Sequence, residues 1–293
     1  MKICKELKQT KLMLGTVQFG LNYGINNTYG KPSQKEVFEI LDAAGVQNIE
    51  SLDTADAYGN SIELIGQYHQ QQNHRFNILS KFKGISEGQI FEQVKDSMNK
   101  LQIECFQVYS YHSFADYINH PYIKDELQSL KCDGLIEKIG ISVYTNSELE
   151  QVIEDKDIDV IQLPFNLLDN QNIRGQHIDI AKKKQKEIHV RSVFLQGLLL
   201  MDEESIPQKL KSLKPYIQKI NSYCKDKSIN IQSLALSYAI YNQQIDHVLI
   251  GVDSKDQLLK NIASIADYKN AFDFINQYII VKETELLNPV NWK

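Results

Sequence analysis

The chain has 293 residues, 42% apolar and 24% charged, with a formal net charge of -5. That balance suits a globular protein with a sizeable core and excludes a broadly nucleic-acid-binding surface, which is normally basic. No stretch approaches the roughly 20 apolar residues of a membrane span. The four cysteines (Cys4, Cys105, Cys132, Cys224) are scattered without a C-x-x-C, and the start MKICKELKQT lacks the apolar run of a secretory signal. A reduced, cytoplasmic protein is therefore expected.

In chain order, an apolar run at 12–15 leads into a loop rich in Asn, Gly and Tyr, FGLNYGINNTYGK. A helical pattern follows at 34–44, with Ser33 placed to cap it. A run at 49–53 ends in Asp53 and passes through Tyr58 to a helix at 63–71. A run at 77–81 ends in Lys81 and precedes a helix at 87–101. A run at 106–111 leads to His112 and a helix at 122–132. The run at 138–142 precedes a helix at 146–154, which Asn146 is expected to cap, and the run at 159–163 precedes a helix at 173–186. After a seventh run at 188–193 the spacing breaks. Residues 198–246 hold a loop and two helical patterns, 207–225 and 231–241, before an eighth run at 248–251. A helix at 255–266 and another beyond Asp267 lead to the end, NPVNWK.

Alternation of this kind implies a parallel sheet, because each parallel return needs a crossover helix. Eight runs point to a closed (β/α)8 barrel with additional helices after the seventh strand and at the carboxyl end. An open doubly wound sheet is the main alternative, but no G-x-G-x-x-G follows the first strand. No linker or low-complexity tract divides the chain, so residues 1–293 read as one domain.

In such a barrel the site forms at the carboxyl ends of the strands. Asp53, Lys81 and His112 end successive strands, and Tyr58 lies in the loop after Asp53. Each has an ordinary reading on its own: a helix cap, a packing aromatic, a solvated lysine, a structural histidine. Together they describe an acid for reducing a carbonyl. A phenol has a free pKa of about 10. A nearby ammonium makes its proton easier to give, a carboxylate holds that ammonium, and an imidazole hydrogen-bonds the substrate oxygen. Burying the lysine requires a charge partner, and Asp53 fits that role. No His/Asp/Glu ligand cluster is apparent, so no metal is expected.

These segments resemble the aldo/keto reductases over almost the full length of the chain. LGTVQFG resembles the family's first strand and loop, DTADAYGNSIELIG its best-known signature, and SKF and the HS after the fourth strand its remaining tetrad positions. IGISVYTNSEL, IQLPFNLLD, RSVFLQGLL and LIGVDSKDQLLKNI resemble its later cofactor-binding segments, in the right order. The resemblance implies a nicotinamide dinucleotide at the strand ends and hydride transfer to a substrate carbonyl. Tyr58 would be the proton donor, Lys81 would lower its pKa, Asp53 would orient Lys81, and His112 would position the carbonyl.

For the cofactor, the resemblance assigns Gly15 and Thr16 in the first loop, Asp53, and Ser142 and Gln162 at the carboxamide. It adds Arg191 where a stacking tyrosine is usual, Ser192, Gln196 and Gly197 along the pyrophosphate, and Gly251, Asp253, Gln257 and Asn261 around the last helix start. Val143 replaces a usual asparagine. Gln257 replaces the arginine that commonly grips a 2′-phosphate, with Lys255 and Lys260 as possible substitutes, and NADPH is favoured over NADH. Candidate substrate walls are Phe19, Tyr23, Tyr58, His112, Phe114 and Trp292. The first loop and the resemblance to surface-sugar reductases point to a sugar-like aldehyde or ketone.

The leading expectation is an NAD(P)H-dependent carbonyl reductase, a monomer or small homo-oligomer with a small-molecule partner and neither nucleic acid nor membrane. The rivals are a nucleotide-binding regulatory subunit of the same fold with little turnover, and a metal-dependent isomerase.

Overall fold

Eight parallel strands hydrogen-bond in chain order and close on themselves, β8 returning to β1. The computed structural model describes residues 11–27 and 29–292, so the segment MKICKELKQT, with Cys4, lies outside the described residues. The strands are β1 (Leu12–Gly15), β2 (Ser51–Asp53), β3 (Asn77–Phe82), β4 (Phe106–Tyr111), β5 (Ile136–Ser142), β6 (Val160–Pro164), β7 (Glu187–Arg191) and β8 (His247–Gly251). The α-helices of eight residues or more among the described residues are α1 (Gln34–Val46), α2 (Ser61–Gln71), α3 (Ile90–Leu101), α4 (Ile123–Cys132), α5 (Asn146–Ile153), α6 (Gln171–Lys183), α7 (Lys214–Lys227), α8 (Ile231–Ile240), α9 (Lys255–Ala263) and α10 (Lys269–Tyr278). This is the (β/α)8 barrel that the alternation implied, with α7 and α8 between β7 and β8 and α10 beyond the last repeat.

The pattern of each segment explains its place. On α3 the buried residues Ile90, Val94, Ser97, Met98 and Leu101 recur every three or four positions, one stripe turned to the sheet. Ser33 caps α1 in a reciprocal pair with Glu36. At α5 the cap is Thr145, one residue earlier than expected. Asn146 instead donates to the Ile173 carbonyl and accepts from Arg174. The seventh strand stops at Arg191, short of the expected Val193, because Ser192 takes φ +61, which an extended strand cannot contain.

Alternation along the strands separates two apolar cores. The larger one lies between sheet and helices and includes Leu12, Leu14, Ile78 and Val248. The smaller one is Met13, Leu79, Val108, Val160 and Leu249, one residue from each of five strands, filling the barrel interior. Two residues further along the same faces stand Gly15, Lys81, Ser110, Gln162 and Gly251. Register pairs Gly15 with both Asp53 and Gly251, Lys81 with Ser110, and Ser142 with Gln162. Polar strand ends are thereby gathered on one rim above an apolar floor. Among the described residues no helix is long and apolar enough to cross a membrane.

Candidate active site

Asp53 and Lys81 meet at the rim. Both are 3% exposed, and the Lys81 Nζ donates to Asp53 Oδ1 at 2.5 Å and to the Thr54 carbonyl at 3.2 Å. Gln162 Nε2 donates to the other carboxylate oxygen at 2.9 Å, and Ser142 Oγ donates to Gln162 Oε1 at 3.4 Å. Burial pushes the Lys81 ammonium below its usual range while Asp53 pulls it back up.

Tyr58 sits on a turn held by backbone contact. The Gly20 Cα faces the Tyr58 carbonyl so closely that a Cβ there would lie 1.7 Å from it, and Gly59, at φ +57, faces the Gly20 carbonyl in return. Only glycine fits two backbones at that distance. Buried hydroxyls tie the same loops. Thr16 Oγ1 donates to the Asp53 carbonyl at 3.1 Å, and Ser61 Oγ donates to Thr16 Oγ1 at 2.8 Å. The Lys81 Nζ lies 5.4 Å from the Tyr58 ring centre, and the His112 ring meets Tyr58 edge-on at 5.8 Å.

The Tyr58 phenol is shifted from its ordinary value. The phenol is pushed well above 10, first by burial and then by the Asp53 carboxylate. The cation that pulls Tyr58 downward is Arg191. His112 is depressed to about 4 by burial and then by Lys81, so its ring is neutral at pH 7, and its Nδ1 is buried without a hydrogen-bond partner.

Arg191 is held at the end of β7. Its guanidinium stacks 4.1 Å from the Tyr144 ring centre and donates to the Val143 carbonyl at 3.2 Å. Tyr144 is itself fixed from below. Arg174 forms a buried, two-pronged pair with Asp169 at 2.6 and 2.8 Å and donates to the Tyr144 carbonyl. Beyond Arg191, positive φ at Ser192, Leu195, Gln196 and Gly197 coils the chain. The first loop crosses to meet it, with Ile25 N donating to the Gln196 carbonyl and Gln196 Nε2 to Tyr23 Oη.

A cavity of about 370 Å³ lies between these loops. It reaches Gly15, Thr16, Tyr23, Asp53, Tyr58, Gln162, Arg191, Ser192, Gln196, Gly197, Gly251, Asp253, Gln257 and Asn261. Every anticipated cofactor residue except Ser142 therefore borders it. Lys81, buried, and His112, partly exposed beside the Tyr58 ring, are not among its lining residues. Of the anticipated substrate walls, Tyr23 and Tyr58 line it. Phe19 is fully buried in the core, Phe114 packs beside Tyr117, and Trp292 is buried with its Nε1 bonded to the Leu286 carbonyl. Sequence reading missed Gln18, Asn26 and Gln232 in the lining. Their signal was polarity in loops and on a helix, which carries no position. Gln18 Oε1 is buried without a partner and Gln232 Nε2 donates to Asn261.

This lining fits a dinucleotide. The volume is in the range of small-ligand sites, Gln18 offers a buried acceptor unused among the described residues, and Asp253 and Gln257, on either side of the α9 start, border the cavity. Ser254 caps α9 by accepting from Gln257 N, and Gln257 Oε1 accepts from Asp253 N. Asp253 is the charged side chain in the lining at this end, while Lys255 and Lys260 are exposed and outside it.

Residues 11–273 match the model of the aldo/keto reductase family. The chain is 23% identical over 252 residues to the uncharacterized oxidoreductase YqkF of Bacillus subtilis, covering 78% of this chain and 82% of that protein. It is 22% identical over 308 residues to L-galactose dehydrogenase of Arabidopsis thaliana, covering 98% and 94%. The structure of glycerol dehydrogenase AKR11B4 from Gluconobacter oxydans superposes with a TM-score of 0.72 at 19% identity, covering 91% of this chain and 90% of that one.

Proposed function

The chain belongs to the aldo/keto reductase family, and from that premise we propose that it reduces the carbonyl of a small, sugar-like aldehyde or ketone with NAD(P)H, Tyr58 giving the proton. The observation that carries this reading is the buried Asp53–Lys81 pair directly behind Tyr58 at the floor of the cavity.

When bound, the dihydronicotinamide supplies the hydride. The protein supplies the proton and the geometry. Burial keeps the Tyr58 hydroxyl protonated at neutral pH, so the acid form is the resting form. An alkoxide is a far stronger base than a phenolate, so transfer from Tyr58 Oη to the developing alkoxide is downhill. The phenolate left behind is then stabilised by Arg191 and by the Lys81 ammonium, with Asp53 sharing the latter's charge. Neutral His112, its ring edge against Tyr58, is suited to donate a hydrogen bond to the carbonyl oxygen without competing as an acid.

A sugar-like substrate is supported by the amide-rich lining of Gln18, Asn26, Asn27 and Gln196, which suits hydroxyl groups. The name L-galactose dehydrogenase of one relative agrees with that chemistry. Family members generally use NAD(P)H. With Asp253 rather than a cation in the lining beside α9, we propose that NADH is accepted at least as well as NADPH. The test is NAD(P)H oxidation against a panel of aldoses, ketoses and simple aldehydes. Turnover with polyhydroxylated carbonyls supports the reading. Saturable cofactor binding with no turnover on any member of the panel overturns it in favour of a nucleotide-binding subunit.

A further inference from the structure

Beneath the apolar floor of Met13, Leu79, Val108, Val160 and Leu249 the barrel interior turns polar again. The starts of β7 and β8 place Glu187, His189 and His247 together at the amino-terminal end, opposite Tyr58. His189 Nε2 is 2.7 Å from Glu187 Oε1, and His247 Nε2 is 3.7 Å from the same oxygen. The two rings stand edge to face with centres 4.9 Å apart. One ligating atom from each residue lies within 4.8 Å of the others. His189 is buried, and Glu187 and His247 border a hollow that they share with Lys138, Asp246 and Gln107.

Two features of this cluster are unexplained by packing alone. Among the described residues, His247 Nδ1 is buried without a partner. The gap of 3.7 Å between His247 Nε2 and Glu187 Oε1 is too long for a hydrogen bond. It is close to the ~3.4 Å edge of a tetrahedron whose ligand bonds are about 2.1 Å.

We propose that Glu187, His189 and His247 bind a divalent transition-metal ion of the zinc class, with solvent from the hollow completing the shell. The geometry needs a shift of a few tenths of an ångström and loss of the His189–Glu187 hydrogen bond, the imidazole proton moving to Nδ1 or to solvent. Nearby lysines are already engaged. Lys138 binds the second Glu187 oxygen, Lys182 binds Asp246, and Lys186 and Lys11 donate to backbone carbonyls. The Lys138 ammonium weakens the carboxylate as a hard ligand, so two imidazoles must supply the affinity. That selects zinc, nickel, copper or cobalt over magnesium or calcium. The ion would tie the starts of the neighbouring strands β7 and β8 together, independently of the chemistry at the other rim.

The test is calorimetric titration of Zn2+ into the full chain after dialysis against a chelator, in a Cys4→Ser background so that this thiol cannot contribute. One ion per chain is expected. Loss of an outer-shell partner costs about 10–100-fold in affinity, so removing a direct ligand in Glu187→Gln or His247→Ala should weaken binding by ~100-fold or more, whereas His74→Ala at the surface should not. Co2+ added to the Cys4→Ser chain with all three ligands intact should give the intense visible bands of a tetrahedral site, which keeps the test decisive if Glu187→Gln does not fold. Absence of Zn2+ binding at micromolar concentration, or binding unchanged in His247→Ala, overturns the proposal.

Discussion

Tyr58 carries a proton that its surroundings hold tightly, and that is the useful state for a donor facing an alkoxide. Tyr58→Phe removes the proton and little else, since among the described residues the hydroxyl makes no hydrogen bond that supports the fold. General acid catalysis is worth ~100-fold or more, so kcat should fall by at least that factor while cofactor affinity, read by fluorescence titration, stays within about twofold of the unsubstituted protein. Retained turnover would remove Tyr58 from the reaction. The ion pair behind it answers to a different test. Asp53→Asn leaves Lys81 buried without its carboxylate, and breaking a buried pair from one side costs about 3–5 kcal/mol. Urea unfolding should show that loss, and Asp53→Asn combined with Lys81→Met should recover part of it. Equal destabilisation by the single and double variants would mean that the charges are not coupled. The residues of this group were legible in the sequence as a set, because four such side chains at successive strand ends fit one chemistry although each has an ordinary use alone. Their energetics were not. The Tyr58 shift rests first on burial and then on the Asp53 carboxylate, opposed by Arg191, which stands 133 positions away in the chain (191 − 58), and no motif records that burial or that opposition.

Elements were readable where periodicity fixes them and obscure where single dihedrals decide. Eight runs separated by helical stripes gave the barrel, since a parallel return leaves few alternatives. The ends were less certain. Residue 192 in the left-handed region cut β7 short, and Thr145 took the cap expected of Asn146, because the latter was recruited by Arg174. The start of α9 is the element where such detail bears on function. Asp253 lines the cavity there and Gln257 spends its side-chain oxygen on the Asp253 amide. A 2′-phosphate brought to this helix start meets a carboxylate. A like charge at about 4 Å in water costs roughly 1 kcal/mol, about fivefold in affinity. Asp253→Asn should therefore tighten NADPH relative to NADH by roughly fivefold in parallel titrations. An unchanged ratio would place the adenosine end of the cofactor elsewhere.

For the whole molecule, buried neutral histidines, His69 and His112 among them, make stability depend on pH in a defined window. His69 is fully buried in α2, its Nδ1 bonded to the Leu101 carbonyl and its Nε2 accepting from Phe76 N at 3.2 Å. That arrangement ties α2 to the end of α3 and the entry to β3, and it requires the neutral ring. Burial pushes His69 below its ordinary 6.5, and His112 to about 4. In the unfolded chain both rings take up protons as pH falls through about 6.5; in the folded chain they resist. The unfolded state then binds more protons, so stability rises with pH across this window and falls on acidification from about 6.5 toward 4. Carboxylates titrate here too, so the informative quantity is a difference between proteins. Unfolding free energies by urea at several pH values between 4.5 and 7.5, with a chelator present, should decline less steeply for His112→Gln than for the unsubstituted chain. The reduction should be up to about one proton's worth of slope. His69→Gln should flatten the slope likewise at a lower overall stability, because glutamine cannot reproduce both backbone hydrogen bonds from the same position. Parallel slopes in all three proteins would show that neither ring is held neutral by the fold, and would remove the basis for treating His112 as an uncharged hydrogen-bond donor in the site.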